Sequence, residues 1–325
     1  MTGRSVNTHA TTDAEIVLAV DGLVKRYGDL VAVEDLSFDV RAGEVFGFLG
    51  PNGAGKTTAI SMICGLLAPD AGRVLVHGRL MTAGAGTRSS IGVCPQDVVI
   101  WERLTCLEQL EFVGEMYAVP RAEARRRGRE LLETLGLTEK AGALAATLSG
   151  GMKRRLNLAL ALVHDPDVVV LDEPEAGLDP QSRITVREFI RSLARRKTVV
   201  LTTHNMDEAE RLADRVAIID HGRLLVLDTP EGLKRRVGEG DLIEIGLAAD
   251  DDPGRAEAAL AGLTSVAVVR VTANVATLRS RDALSHLGDA LNALRAAGVP
   301  VGDVRLRSAS LEDVFVALTG RGLRS

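Results

Sequence analysis

Leu148-Ser149-Gly150-Gly151-Met152 constrains this chain more than any other segment, because of what lies on either side of it. Upstream, the apolar run Val45 to Leu49 leads straight into Gly50-Pro51-Asn52-Gly53-Ala54-Gly55-Lys56-Thr57-Thr58. Downstream, one helix length later, Val168-Val169-Val170-Leu171 ends in Asp172-Glu173-Pro174. A strand that runs into a glycine-rich turn and then opens a helix is the context in which a phosphate loop is more than a chance match. Gly50, Gly53 and Gly55 let the backbone curl so that successive amides face phosphate oxygens, with a helix N-terminus behind them. Lys56 is expected to neutralise the outer phosphates, and Thr57 to offer its hydroxyl to Mg²⁺. Asp172, at a strand tip, is the expected outer partner of Mg²⁺. Glu173 is placed to polarise an attacking water as general base.

The hydrophobic pattern predicts the rest of the layout. Strands are expected at Ile16 to Val20, Val31 to Val40, Val45 to Leu49 and Arg73 to His77, with a helix over Thr57 to Leu67. Leu104, Leu107, Leu110, Val113, Leu131, Leu132 and Leu135 carry helical spacing. They predict a helical insert over about residues 97–165, dividing the two halves of the phosphate site. Strand–helix alternation then resumes through Gly151 to Val163, Val168 to Leu171, Gln181 to Ala194, Thr198 to Leu201, Met206 to Ala213 and Val216 to Ile219. Such alternation means a parallel sheet covered by helices. After Gly238-Glu239-Gly240 the order becomes strand, helix, hairpin across Thr272-Ala273-Asn274, helix, strand and last helix. This is the split βαβ arrangement of a ferredoxin-like domain. The expected division is a tail over 1–15, a nucleotide-binding domain over 16–238 and an accessory α+β domain over 239–325.

The three motifs in this order resemble the ATP-binding-cassette (ABC) ATPases, and the resemblance spans residues 16 to about 235. It implies an α/β P-loop NTPase fold with a helical subdomain, bound ATP and Mg²⁺, and ATP hydrolysis. Within it, the whole phosphate loop from Gly50 to Thr58, Pro51, Asn52 and Ala54 included, belongs to the ATP-binding set. Ser149, Gly150 and Gly151 resemble the segment that approaches the terminal phosphate of an ATP held by a second subunit. Gln96 resembles the glutamine that senses Mg²⁺ and the nucleophilic water, and Asp179 the aspartate that crosses the dimer interface. His204 resembles the switch histidine, and Tyr27 the aromatic that stacks on adenine. The other histidines, His9, His77, His164, His221 and His286, have no comparable context. Glu175 departs from the pattern, because the family usually has a small residue there. A second carboxylate near Glu173 is expected either to disfavour charging both or to point to solvent.

The resemblance also implies partners. One cassette per chain calls for a second nucleotide-binding subunit, expected to be another copy, and for a separate integral membrane permease. The closing segment Ala309 to Gly320, and Leu104-Thr105 to Gly114-Glu115-Met116-Tyr117, are similar to ATP-binding subunits of type-2 exporters of the daunorubicin-resistance kind. Export of a drug, antibiotic or similar small molecule is therefore the leading expectation. An importer cassette with a regulatory domain, or a soluble non-transport ABC ATPase, is the alternative.

Composition narrows the surroundings. With 46% hydrophobic residues and a net charge of -5 over 325 residues, the chain has the make-up of a folded, mildly acidic protein. No apolar run reaches the roughly 18–20 residues of a membrane helix, and Met1 to Glu15 lacks the apolar core of a secretory signal. The chain is expected at the cytoplasmic face of the membrane, held there by its permease. The acidity speaks against a nucleic-acid partner, and the arginines of Arg121 to Arg129 read as a solvated helix face. Cys64 and Cys94 read as small buried core residues.

Overall fold

The computed structural model describes residues 15–81, 90–194, 196–248, 253–272 and 274–320. The expected tail lies almost wholly outside them. The chain forms two compact units, Met1–Leu227 and Asp228–Ser325. The division thus falls before the Gly238-Glu239-Gly240 turn where the composition shift had suggested it.

The first unit is built on two sheets. β1 (Ile16–Tyr27), β2 (Leu30–Arg41), β4 (Ala71–Val76) and β5 (Arg79–Leu80) form an antiparallel sheet in the order β2-β1-β4-β5. The second sheet has the order β10-β9-β3-β8-β7-β6. Its strands are β3 (Val45–Leu49), β6 (Ile91–Cys94), β7 (Val168–Asp172), β8 (Thr198–Thr203), β9 (Arg215–Asp220) and β10 (Arg223–Asp228). β6, β7, β8, β3 and β9 run parallel. Every residue of β3, β7 and β8 is buried, as strands covered on both faces must be, so these read as continuous apolar runs. Phe38 of β2 stacks on Phe46 of β3 at 5.1 Å between ring centres and meets Phe48 at 5.5 Å. The core between the sheets is completed by α1 (Lys56–Ile63) through Ala59, Ile60, Met62 and Ile63.

The parallel register matters for function. Asp172 and Phe48 both lie level with Thr202, and Leu49 lies level with Thr203. The residues that follow these strands therefore emerge side by side at one edge, where ligands bind in open α/β sheets.

The helical insert consists of α2 (Cys106–Met116), α3 (Arg121–Thr134) and α4 (Gly150–Leu160). α2 begins at a capping box, in which Thr105 Oγ1 accepts from the Glu108 amide and the Glu108 carboxylate accepts from the Thr105 amide. The basic face of α3 is largely paired: Arg121 and Arg125 with the buried Glu111, Arg126 with Glu123 and Glu130, Arg127 with Glu123. Two more helices cover the parallel sheet, α5 (Pro180–Ala194) and α6 (Met206–Leu212).

The second unit opens with α7 (Pro230–Arg236), which the sequence pattern did not single out. β11 (Asp241–Leu247), α8 (Pro253–Ala261), β12 (Ala267–Val271), β13 (Val275–Ser280), α9 (Ala283–Ala296), β14 (Val301–Ser308) and α10 (Leu311–Thr319) follow. The strands form an antiparallel sheet in the order β12-β13-β11-β14. Ile243, Ile245, Leu278, Leu260 and Leu294 are among the residues of its core. The closing helix α10 buries Leu311, Val314 and Phe315 and packs against α7.

Candidate ATP site

The segment joining β3 to α1 needs its glycines for a steric reason. A Cβ on Gly50 would sit 2.5 Å from the Ile219 carbonyl oxygen. Gly55, with φ +96°, would bring one 2.3 Å from that of Ala32. These positions let the backbone pass close to its neighbours and wrap around a cavity of about 430 Å³. Tyr27, Pro51, Asn52, Gly53, Gly55, Lys56, Thr57, Thr58, Gln96, Asp172, Glu173 and His204 all line this cavity. Gly50 closes the tip of β3, and Ala54 is buried beneath the loop. The predicted phosphate loop, acids, glutamine, histidine and aromatic are thus brought to one place.

Lys56 is buried, and its Nζ donates to the carbonyls of Gly50 (2.6 Å) and Pro51 (3.1 Å). Burial holds its ammonium below its ordinary pKa, while Glu173 and Asp172 pull it the other way. Asp172 accepts a hydrogen bond from the Thr202 hydroxyl, so the neighbouring strand fixes the carboxylate's direction. Glu173 has a left-handed backbone, φ 51°, which is costly for a residue with a side chain. Its amide donates to the carbonyl (3.1 Å) and hydroxyl (3.2 Å) oxygens of Thr202. Its Oε1 lies 2.6 Å from His204 Nδ1. Tyr27, 51% exposed, stands at the rim with Lys25 Nζ 5.9 Å from its ring centre. That leaves an aromatic face open to a flat ligand.

The remaining predicted residues do not line this cavity. Ser149 caps α4, its hydroxyl accepting from the Met152 amide at 3.3 Å. Ser149, Gly150 and Asp179 are exposed. Asp179 accepts from the Ser182 amide (3.0 Å) and hydroxyl (2.6 Å). Gly151 lies against that pair, since a Cβ there would approach Ser182 Oγ to 2.6 Å. These four residues form a second surface cluster of their own.

Glu175 fits neither sequence expectation. It is 7% exposed, so it does not face solvent, and it does not stand beside Glu173 as an uncompensated charge. Arg187 of α5 grips it with two hydrogen bonds, 3.0 and 2.7 Å. The sequence could not show this, because the partner is twelve residues on, in the middle of α5.

Four further residues were not found by pattern. Thr202 holds both acids, and Arg154 binds the carbonyls on either side of the site. His221 lines the cavity, and Glu208 is a buried carboxyl bonded to Thr203 at 2.6 Å. Only Arg154 carried a signal, two positions beyond the Leu148–Met152 segment.

Comparison with known proteins agrees with this geometry. The ABC transporter family profile matches residues 33–176. The linearmycin resistance ATP-binding protein LnrL of Bacillus subtilis is 38% identical over 95% of this chain and 100% of its own length. The chain belongs to the ABC transporter family. Nod factor export ATP-binding protein I of Ralstonia nicotianae is 42% identical, covering 95% of each chain. The daunorubicin/doxorubicin resistance ATP-binding protein DrrA of Streptomyces peucetius is 39% identical over 97% of this chain and 94% of its own. Among solved structures, an ATP-binding subunit of an ABC transporter superposes with a TM-score of 0.63 at 31% identity, covering 68% of this chain and 92% of that one. This ABC protein is thus an ATPase of the transport-coupled kind. Among its described residues no helix is long and apolar enough to cross a membrane.

Proposed function

We propose that this ABC subunit works as a homodimer beneath a separate integral membrane permease and powers export of a drug, antibiotic or similar small molecule. The observation that carries the dimer is the split in the site. The cavity holds Lys56, Asp172, Glu173, Gln96 and His204, whereas the exposed Ser149, Gly150 and Asp179 and the half-buried Gly151 form a surface cluster apart from it. A second copy would bring one cluster against the other's cavity.

In this reading the amides of Gly50 to Thr58 and the Lys56 ammonium bind the phosphates, and Tyr27 stacks on the adenine. Glu173 takes the proton of the attacking water. His204 holds that carboxylate in direction and meets the terminal phosphate. Among the described residues no group of three or more His, Cys, Asp or Glu side chains would hold a metal alone. Mg²⁺ is bound through one or two carboxylates and otherwise keeps phosphate, water and other oxygens, so it does not need such a group. Thr57, Gln96 and Asp172 would hold it. When bound, Mg²⁺ draws charge from the phosphate under attack.

The relatives' names support export. An apolar strip that follows Gln96 directly supports the permease. Val98, Val99, Trp101, Phe112 and Met116 are exposed, with Trp101 and Phe112 edge to face at 5.3 Å. Such a cluster suits a protein contact better than water. The second unit is read as ferredoxin-like, on its βαββαβ order and its sheet order.

The test is twofold. Glu173→Gln is expected to run as an ATP-dependent dimer in size exclusion; a monomer with ATP bound would refute the homodimer. Tagged chain drawn from membranes is expected to retain an integral membrane permease and to release it on Trp101→Glu. Recovery of no membrane protein would count against the transport role.

A further inference from the structure

Arg154 sits mid-way along α4 and is only 3% exposed. A guanidinium carries five N–H donors and no acceptor, and here each donor finds a different backbone carbonyl. Nε donates to Pro174 (3.3 Å), and Nη1 to Pro95 (2.8 Å) and Gln96 (2.6 Å). Nη2 donates to Asp172 (2.7 Å) and Glu173 (2.6 Å). One side chain therefore ties α4 to the segment bearing Gln96 and to the segment bearing both acids.

The bond to Glu173 matters most, because that residue holds a left-handed backbone, φ 51°. Its peptide is fixed from two sides: Thr202 takes the amide and Arg154 takes the carbonyl. The rotation of this unit decides where the carboxylate points. Asn157, one turn along α4, strengthens the grip on the other segment. Its Nδ2 reaches Cys94 Sγ (3.3 Å) and the Pro95 carbonyl (3.4 Å), and its Oδ1 accepts from the Val99 amide (3.3 Å). Gln96 is thereby held to α4 on both flanks. The N-terminal end of that same helix is Ser149-Gly150-Gly151.

We infer that Arg154 is a positioning residue through which α4 sets the backbone of Glu173 and Gln96 together. A phosphate engaged at the N-terminus of α4 in one site is thereby felt at the base of the other. The inference rests on the reading of Glu173 as base and of Ser149-Gly150-Gly151 as the partner-facing half-site. Lysine cannot replace arginine here: it offers three donors from a single atom and cannot span carbonyls on two segments.

The experiment compares full-length wild type, Arg154→Lys, Glu173→Gln and the double variant by equilibrium ATP binding and single-turnover hydrolysis. Arg154→Lys is expected to lower the hydrolysis rate roughly 10- to 100-fold, the cost of a misplaced catalytic group, with ATP affinity unchanged. In the Glu173→Gln background it is expected to cause no further loss, because it acts through that residue. A wild-type rate for Arg154→Lys overturns the inference, as does an equal loss in both backgrounds. If Arg154→Lys does not fold, Arg154→Gln, which keeps two N–H donors, takes its place. Loss of ATP binding in both reduces Arg154 to scaffolding and also overturns it. A wild-type rate for Glu173→Gln alone defeats the base assignment instead, so the two failures are told apart.

Discussion

His204 Nδ1 lies 2.6 Å from Glu173 Oε1, joining the residue after β8 to the residue after β7. Glu173 is buried, while the His204 side chain is 55% exposed, so the imidazole reaches the carboxylate from the cavity side. One ring nitrogen is committed to orienting the acid, and Nε2 is left to meet a ligand. The pair should act as a unit. Glu173→Gln is expected to lower single-turnover hydrolysis about 10²- to 10⁴-fold while leaving ATP binding intact. His204→Ala added to it should cost less than His204→Ala alone, since the histidine then has no base to orient and only its contact through Nε2 is lost. Rapid-quench hydrolysis of the two single variants and the double checks this, and multiplicative losses would show two independent roles.

The Glu175–Arg187 pair predicts a stability effect rather than a turnover effect. Arg187→Met leaves the Glu175 carboxylate buried without a partner, which is expected to cost about 3 kcal/mol. Adding Glu175→Gln to that variant should recover part of the loss, because the buried charge is then gone. Urea unfolding of the three variants measures it. A Glu175→Thr chain that hydrolyses ATP several-fold faster than wild type would restore the like-charge idea that the Arg187 contact displaced.

Gly151 is packed so closely against Ser182 that a methyl group would force the Ser182 hydroxyl away from Asp179. Gly151→Ala is therefore expected to leave ATP binding by the isolated chain unchanged and to weaken ATP-driven dimer formation. Light scattering with and without ATP in the Glu173→Gln background reads both. A normal dimer from the alanine variant would place Gly151 outside the interface.

What was legible in the sequence was whatever is local. Val45 to Leu49 and Val168 to Leu171 read as buried strands because every side chain in them is apolar. The loop between Gly50 and Thr58 read as a phosphate cradle because its glycines are spaced for it. The antiparallel pairing of β12 with β13 was likewise legible, from the short turn between them. Contacts made at long range were not. Arg187 meets Glu175 and Arg154 meets Glu173 only because helices cross the sheet edge at the right height, and no spacing encodes that. Thr202 lies just beyond the strand expected at Thr198 to Leu201, and nothing marks it until the parallel register sets it level with Asp172. α7 was missed for another reason: it is short, and its last turn is Lys234, Arg235 and Arg236, so its apolar stripe is too narrow to show a period.

Glu208 makes the stability of the chain depend on pH. Burial pushes its carboxyl up to about 7, against the Thr203 hydroxyl, which favours the charged form, with the charges of Glu175 and Glu173 adding to the rise. In the unfolded chain the same group titrates near its ordinary value of 4.5. Between those two values the folded chain holds a proton that the unfolded chain has released. Raising the pH through that window therefore removes stability, and the contribution is fully present only below the lower value. Glu208→Gln keeps the shape and cannot ionise, so it escapes the loss. Its stability relative to wild type is expected to climb by up to about 3 kcal/mol as the pH rises through the window. Denaturant unfolding of both chains at a series of pH values is the measurement. A constant difference would mean that Glu208 titrates in the folded chain as it does in the unfolded one.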